Sequence, residues 1–232
     1  MKKKAVCLLS GGLDSSVSAY IAKNQDYEIY ALTINYGQRH NREIESAKEI
    51  ATSLNAKKHV LLDVELNKFK GSSLTDRDMN IETNHKIEDI GKIIPSTYVP
   101  ARNTIFLSIA LAFAESINAN TVFIGATSTD YSGYPDCRPE YFEAFQKMAD
   151  VATKNSIEGK KIQIKTPLLY LSKKDIILRG TELNVPFEKT WSCYKGDKLA
   201  CGRCDSCLLR LKGFKEANIV DPIKYQIDPE SE

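Results

Sequence analysis

A doubly wound parallel α/β sheet followed by a small cysteine-rich segment is the fold this sequence predicts, and three observations predict it. Apolar runs of strand length alternate with helix-compatible runs through the first 64 residues, the pattern of βαβ units. The turn Ser10-Gly11-Gly12-Leu13-Asp14-Ser15 joins the first such pair, at a carboxyl end of a strand, where open α/β sheets bind their ligands. Near the other terminus Cys193, Cys201, Cys204 and Cys207 crowd together in the spacing Cys-x7-Cys-x2-Cys-x2-Cys. A length of 232 residues suits one core domain with an appendage rather than two independent domains.

Each element follows from its residues. Residues 5–9 are a short apolar run, the first strand, within which Cys7 reads as a small buried thiol. A helix-compatible run covers 16–23. Residues 28–37, rich in Ile, Tyr, Leu and Thr and stopped by Gly37, form the second strand. In 42–54, Ile44, Ala47, Ile50, Ala51 and Leu54 recur at helical spacing before Asn55. Residues 58–64 make the third strand. No period is sustained over 66–97, and a polar segment of this length is expected to be a lid or insertion loop. Residues 103–117 read as a buried helix, 121–126 as a strand, 140–153 as a helix opened by Pro139, and 162–165 as a strand. Ser172 caps a helix over 173–183. The expected organisation is a core domain over 1–187, the cysteine segment with a C-terminal helix over 188–222, and a tail over 223–232 whose last residues, 229–232, are disordered.

Charge and apolar patterning exclude several classes. Lys and Arg number 32 against 30 Asp and Glu, a net charge of +2, so no global basic field marks a nucleic-acid binder. No apolar stretch approaches the ~20 residues of a membrane helix, and Met1-Lys2-Lys3-Lys4 leads into a strand rather than a signal core, so a cytoplasmic protein without membrane partners is expected. In a reducing compartment six cysteines point to metal or reactivity before disulfides. Four thiolates in one short segment are the number that tetrahedral zinc takes in a closed structural site; Gly202 permits the tight turn, and an iron-sulfur cluster is the alternative for the same donors. Cys137, in a loop, is either a pocket thiol or an ordinary loop cysteine.

The glycine-hydroxyl turn carries the functional signal. Adjacent glycines let the backbone approach a ligand closely, Ser10, Asp14 and Ser15 add donors, acceptors and caps, and the free amides of a helix start bind an anion. No Gly-Lys-Ser/Thr ending follows, so the turn is not a Walker loop. Ser-Gly-Gly-x-Asp-Ser after the first strand resembles the pyrophosphate loop (PP-loop) of the N-type ATP pyrophosphatases, which activate a carbonyl or carboxylate by adenylation. That resemblance implies the adenine nucleotide α-hydrolase-like sheet. It also implies nucleotide contacts along the strand end and helix start, from Leu8 and Leu9 through Ser10, Gly11, Gly12, Leu13, Asp14 and Ser15 to Ser16, Val17 and Ser18.

Four further strings narrow the resemblance: Tyr36-Gly37-Gln38-Arg39-His40, Val99-Pro100-Ala101-Arg102-Asn103, Tyr134-Pro135-Asp136-Cys137-Arg138-Pro139 and Trp191-Ser192-Cys193-Tyr194. Together with the loop and the remaining cysteines they span nearly the whole chain and resemble the 7-cyano-7-deazaguanine synthases of queuosine-type pathways. One departure is Ala101, where that family often carries glycine. The resemblance implies an ATP-dependent ligase that converts 7-carboxy-7-deazaguanine and free ammonia to the nitrile, with ATP and Mg²⁺ as substrate complex and one structural zinc. It implies catalytic roles for Asp14 and Ser15 in the loop and for Lys173 on the phosphates, the last with a surface lysine as the plainer reading. Arg102 forks onto phosphate or carboxylate oxygens, or makes a helix-surface salt bridge. Arg138 holds the substrate carboxylate, and Asp136 a magnesium ion or the incoming ammonia. Trp191 stacks on the planar ring or simply packs. His40 alone of the three histidines lies where it could approach the site. The expected partners are small molecules, and a homodimer is compatible with the sequence. A sulfur-transferring tRNA enzyme of the same superfamily is the competing activity, and a nucleotide-binding module without catalysis a further one.

Overall fold

The structure, a computed structural model, describes residues 2–39, 41–129, 133–195 and 198–226. The expectations for His40 and for the tail 229–232 lie outside these residues.

Five parallel strands form one sheet in the order β3-β2-β1-β4-β5, with β1 Lys4–Leu8, β2 Glu28–Asn35, β3 Lys58–Asp63, β4 Thr121–Phe123 and β5 Gln163–Lys165. Register pairs Ala5 with Ile29 on one side and with Thr121 on the other. The chain lays strands outward from β1 to β3, then returns to place β4 on the free side of β1. The order therefore reverses between β1 and β4, and the crevice at their carboxyl ends is where such a sheet takes a ligand.

Alternation along β1 sorts the two faces. Val6 and Leu8 pack with Leu107, Ala110 and Ala114 of α3 (Arg102–Ser116) and Phe142 and Phe145 of α4 (Pro139–Ala152). Ala5, Cys7 and Leu9 pack instead with Leu13 and Val17 of α1 (Leu13–Asn24), Ile50 of α2 (Arg42–Ser53), Ile176 of α6 (Lys173–Glu182) and Phe214 of α7 (Asp205–Glu216), while the short α5 (Lys154–Ile157) lies against α4. Both faces being covered explains why the strands read as continuous apolar runs.

Local signals set most boundaries. Pro139 occupies the first turn of α4, where its fixed φ suits a helix start. Ser172 caps α6 in a reciprocal box with Asp175: the Asp175 N–H donates to Ser172 Oγ (3.2 Å) and the Ser172 N–H to Asp175 Oδ2 (3.3 Å). Helix α1 starts at Leu13, three residues before the helical run read from sequence, because Gly12 is its N-cap. Strand β4 ends at Phe123 rather than 126, since the chain beyond passes against the start of α1.

The aperiodic stretch 66–97 lies down on the core. Leu66, Leu74 and Ile81 are single apolar anchors in the α3 side of the core, and Ser72 and Ser73 are fully buried. Arg39 fastens the stretch by donating to the carbonyls of Asp76 (2.6 Å) and Met79. No helix among the described residues is long and apolar enough to cross a membrane.

Candidate active site and cysteine cluster

The turn after β1 is held by its own hydroxyls. Ser15 Oγ donates to the Gly12 carbonyl (3.0 Å) and accepts from the Ser10 N–H (3.2 Å), while Ser16 Oγ donates to the same carbonyl (2.8 Å). Ser10 Oγ lies 3.0 Å from Ser15 Oγ and accepts from the Gly12 N–H (3.3 Å). Gly12 makes no side-chain cap bond, so amides at the start of α1 are available to an anion. Gly11 has φ +84°, and a Cβ there would stand 2.3 Å from the Glu43 carbonyl oxygen and 2.6 Å from the Ala47 nitrogen. A side chain at Gly125 would meet the Asp14 and Ser15 backbone at 2.7 Å. The turn is thus wedged between α2 and the end of β4.

Lys173 sits in the first turn of α6 and reaches into this turn. Its Nζ donates to both carboxylate oxygens of Asp14, each at 2.7 Å, and the residue is 8% exposed, which removes the surface-lysine reading. Gly213 of α7 lets the lysine stem lie flat: a Cβ at Gly213 would be 2.4 Å from Lys173 Cγ.

Above the turn opens a cavity of about 240 Å³. Of the nucleotide-contact residues expected from sequence, Leu8, Leu9, Ser10, Gly12, Leu13, Asp14 and Ser15 line it. Gly11 instead accepts the Trp191 N–H at its carbonyl (2.9 Å), and Ser16, Val17 and Ser18 are buried behind the turn. Arg102 lines the cavity from the start of α3, with its guanidinium carbon 5.7 Å from the Tyr36 ring centre. Burial works against its charge, but the phenols of Tyr36, Tyr134 and Tyr194 outweigh that and hold its pKa above the usual arginine value. Among the described residues Arg102 forms no helix-surface salt bridge.

Asp136 and Arg138 are placed elsewhere. The Asp136 carboxylate accepts the Asn103 N–H (2.9 Å), and Asn103 Nδ2 donates to the Asp136 carbonyl (3.0 Å) and to Cys137 Sγ (3.2 Å). Asp136 therefore satisfies a free amide of the α3 start, beside Arg102, and is not among the residues lining the cavity. Arg138 is exposed at the N-cap of α4, also outside the lining. Cys137 lines the cavity as a thiol whose pKa burial pushes up to about 11.

Two charged lining residues escaped the sequence reading. Glu43, in the first turn of α2, is half-buried, and burial pushes its pKa up to about 7 although Arg102 pulls it down. Arg210 of α7 is 2% exposed and holds Asp221 through Nε (2.7 Å) and Nη2 (2.9 Å), with Nη1 donating to Thr190 Oγ1 (2.7 Å). Neither stands out in sequence, because each is a charged residue in an amphipathic run.

The four C-terminal cysteines converge, all buried, with their sulfurs within 4.8 Å of one another. Backbone amides point at the sulfurs: those of Cys201 and Lys195 to Cys193 (3.2 and 3.3 Å), those of Cys204 and Arg203 to Cys201 (3.3 and 3.4 Å). Such donors stabilise thiolates. Gly202, at φ +71°, makes the turn between the second and third sulfur. The arrangement fits a closed metal site with four protein ligands. Trp191 joins it to the turn: its N–H donates to Gly11 and its indole Nε1 to the Cys193 carbonyl (3.1 Å).

A glycine-hydroxyl turn at the switch point of a parallel sheet, facing a lysine and an arginine across one cavity, defines a nucleotide-binding α/β protein of PP-loop type. The family model described as Queuosine biosynthesis protein QueC matches residues 4–218, and the chain belongs to that family. It is 54% identical over 231 residues to the 7-cyano-7-deazaguanine synthase of Thermoplasma volcanium, across 99% of this chain and 94% of that one. It is also 54% identical over 227 residues to the enzyme of the same name from Desulfatibacillum aliphaticivorans, 97% of each. NMN synthetase from Francisella tularensis overlays with a TM-score of 0.46 at 19% identity, on 80% of this chain and 63% of that one, a likeness too slight to add to these findings.

Proposed function

We infer that this protein is an ATP-dependent carbon–nitrogen ligase that converts 7-carboxy-7-deazaguanine and ammonia to 7-cyano-7-deazaguanine in queuosine-type biosynthesis. The observation that carries this reading, beside family membership, is that the loop, Lys173 and Arg102 converge on one cavity lined by Tyr36, Phe106, Tyr134 and Trp191. A flat anionic ring and a triphosphate are what such a cavity accommodates.

The chemistry requires a carboxylate oxygen to become a leaving group. Attack of the substrate carboxylate on ATP forms a mixed anhydride and expels pyrophosphate. Ammonia then adds to the carbonyl carbon and the phosphate ester leaves, giving the amide. A second activation, now at the amide oxygen, allows that oxygen to depart with its phosphate while nitrogen loses its protons and the nitrile forms. Each displacement builds negative charge on phosphate oxygens. The amides at the α1 start and the Lys173 ammonium, held on Asp14, are the fixed positive groups for that charge. Mg²⁺ carried on the triphosphate would offset more of it, and Asp14, the carboxylate at the loop, would hold the ion while sharing its oxygens with Lys173. Arg102 we assign to the substrate carboxylate, the part first expected of Arg138; its planar fork suits two oxygens. Asp136 we assign to positioning the start of α3, and so Arg102, through Asn103.

Zinc is the metal we assign to Cys193, Cys201, Cys204 and Cys207, in a structural role, since four protein thiolates leave no open position. That use of four cysteines also speaks against sulfur transfer, which needs reactive thiols.

Incubation of the purified protein with ATP, Mg²⁺, ammonium and 7-carboxy-7-deazaguanine should yield the nitrile by mass spectrometry, while Asp14→Ala and Ser15→Ala proteins of unchanged fold yield none. Absence of nitrile from folded, metal-replete protein would refute the activity. Retained activity in both variants would remove the loop from the mechanism.

A further inference from the structure

The cavity holds a carboxylate that the reaction above leaves without a part. Two acids line it, Asp14 and Glu43. Asp14 gives both its oxygens to Lys173. The Glu43 carboxylate makes no hydrogen bond or ion pair with the described residues, and it borders both the main cavity and a small side recess shared with Tyr36, Gln38 and Tyr194. Its place is fixed from two sides. The Glu43 carbonyl abuts Gly11, where a Cβ would stand at 2.3 Å, and the neighbouring Arg42 stacks its guanidinium 5.6 Å from the centre of the Trp191 ring. A half-buried acid on a pinned helical turn, aimed at a ligand cavity, is unfavourable unless the ligand brings donors to it.

The substrate brings such donors, at the end away from the reaction. Its C7 carboxylate is repelled by Glu43 and drawn to Arg102 and Lys173. The opposite, guanine-type edge presents a ring N–H beside an exocyclic amino group, two parallel donors that match the two oxygens of one carboxylate. Aromatic walls at Tyr36, Phe106, Tyr134 and Trp191 would hold the ring plane between the two ends.

We propose that Glu43 is the residue that selects the ring, its carboxylate accepting hydrogen bonds from both the ring N–H and the exocyclic amino group of the deazaguanine. The inference rests on the substrate class assigned above. Arg102, which lies within electrostatic reach of Glu43, and Lys173 take the reacting carboxylate, and Glu43 takes the base edge. A ring with a carbonyl edge acceptor in place of the amino donor is repelled by Glu43, and one lacking the amino group leaves an oxygen unpaired.

Calorimetric binding of 7-carboxy-7-deazaguanine and of its analogue without the exocyclic amino group, to wild-type and Glu43→Gln protein, tests this. Hydrogen bonds to a charged group predict that wild type prefers the amino-bearing acid by roughly 10- to 100-fold. Glu43→Gln, of nearly the same shape, should weaken binding of that acid by a similar factor, erase most of the preference and leave ATP affinity unchanged. Glu43→Ala, checked for folding by circular dichroism, should do the same to a greater extent. An intact preference in folded Glu43→Gln overturns the proposal. So does a variant that loses kcat alone, with KM for the acid and the preference unmoved, because Glu43 would then be handling a proton of the amine. Because binding is read directly, a wild-type protein that shows the preference yet forms no nitrile would sink the activity and keep the recognition, whereas an active enzyme indifferent to Glu43→Gln would do the reverse.

Discussion

Ala101, one residue before the cavity-lining Arg102, has φ +54° and ψ +24°, the left-handed region that costs a residue with a Cβ about 1–2 kcal/mol. The turn must be left-handed there because the Arg102 N–H donates back to the Val99 carbonyl (3.1 Å) while the chain swings directly into α3. Glycine would answer that conformation without cost, and alanine stores the strain. Ala101→Gly is therefore expected to stabilise the protein by about 0.5–1 kcal/mol, the relieved strain less the greater unfolded-state entropy of glycine. A thermal melt should show this as a rise of roughly 1–3 °C; an unchanged or lower midpoint would mean the strain is already absorbed by neighbouring residues. At this scale the sequence disclosed what depends on short strings. Ser10, Asp14, Ser15 and the four cysteines were legible because close spacing alone brings them together. Lys173 and Asp14 are 159 positions apart, and only the resemblance connected them. Glu43 was silent, since a glutamate in the first turn of an amphipathic helix is ordinary there, and the cavity it borders is completed by residues as far along the chain as Trp191.

Among elements, the close packing of α7 on α6 decides where the lysine points. Gly213 faces Lys173 at a distance that admits no methyl group: an added Cβ would be 2.4 Å from Lys173 Cγ and 2.9 Å from both Lys173 Cβ and Ile177 Cδ1. The atoms in the way are the stem of the side chain, so a shift there carries the ammonium off Asp14. Gly213→Ala should accordingly destabilise by about 1–3 kcal/mol from overpacking. It should also lower kcat/KM by roughly 10- to 100-fold, as expected of a catalytic group misplaced by about an ångström. Steady-state kinetics beside a melt would check both; normal kinetics in a destabilised variant would show that Lys173 keeps its place by other means. Element boundaries were legible where a local signal exists, at Ser172 and Pro139, and all five strands were anticipated to within a few residues. The stretch 66–97 was illegible as structure for a physical reason. It is fastened by isolated anchors, Leu66, Leu74 and Ile81, and by Arg39, and single anchors separated by polar residues carry no period.

Across the whole molecule, the cysteine cluster is tied to the nucleotide loop and to the long stretch at once. Trp191 bonds the Gly11 carbonyl, the Asn84 N–H donates to the Arg203 carbonyl (2.9 Å), and His85 Nδ1 lies 2.8 Å from Asp205 Oδ1 at the start of α7. Four buried sulfurs this close suit a metal, and a metal bound there, as proposed, would be a folding ligand whose binding free energy holds these three regions together. Its loss should reach beyond the cluster. Cys204→Ser is expected to abolish stoichiometric zinc, to lower the melting temperature by several degrees, as a loss of roughly 2–4 kcal/mol would at this size, and to weaken ATP binding although no cysteine of the four lines the cavity. The last effect distinguishes this coupling from simple local unfolding. If the segment were an independent appendage, chelation would melt it alone and leave nucleotide affinity where it was. Since Gly11 takes its hydrogen bond from Trp191, the loop should lose one wall as the metal leaves, and ATP titrations of chelated and replete protein at a temperature where the sheet remains folded in both would reveal it.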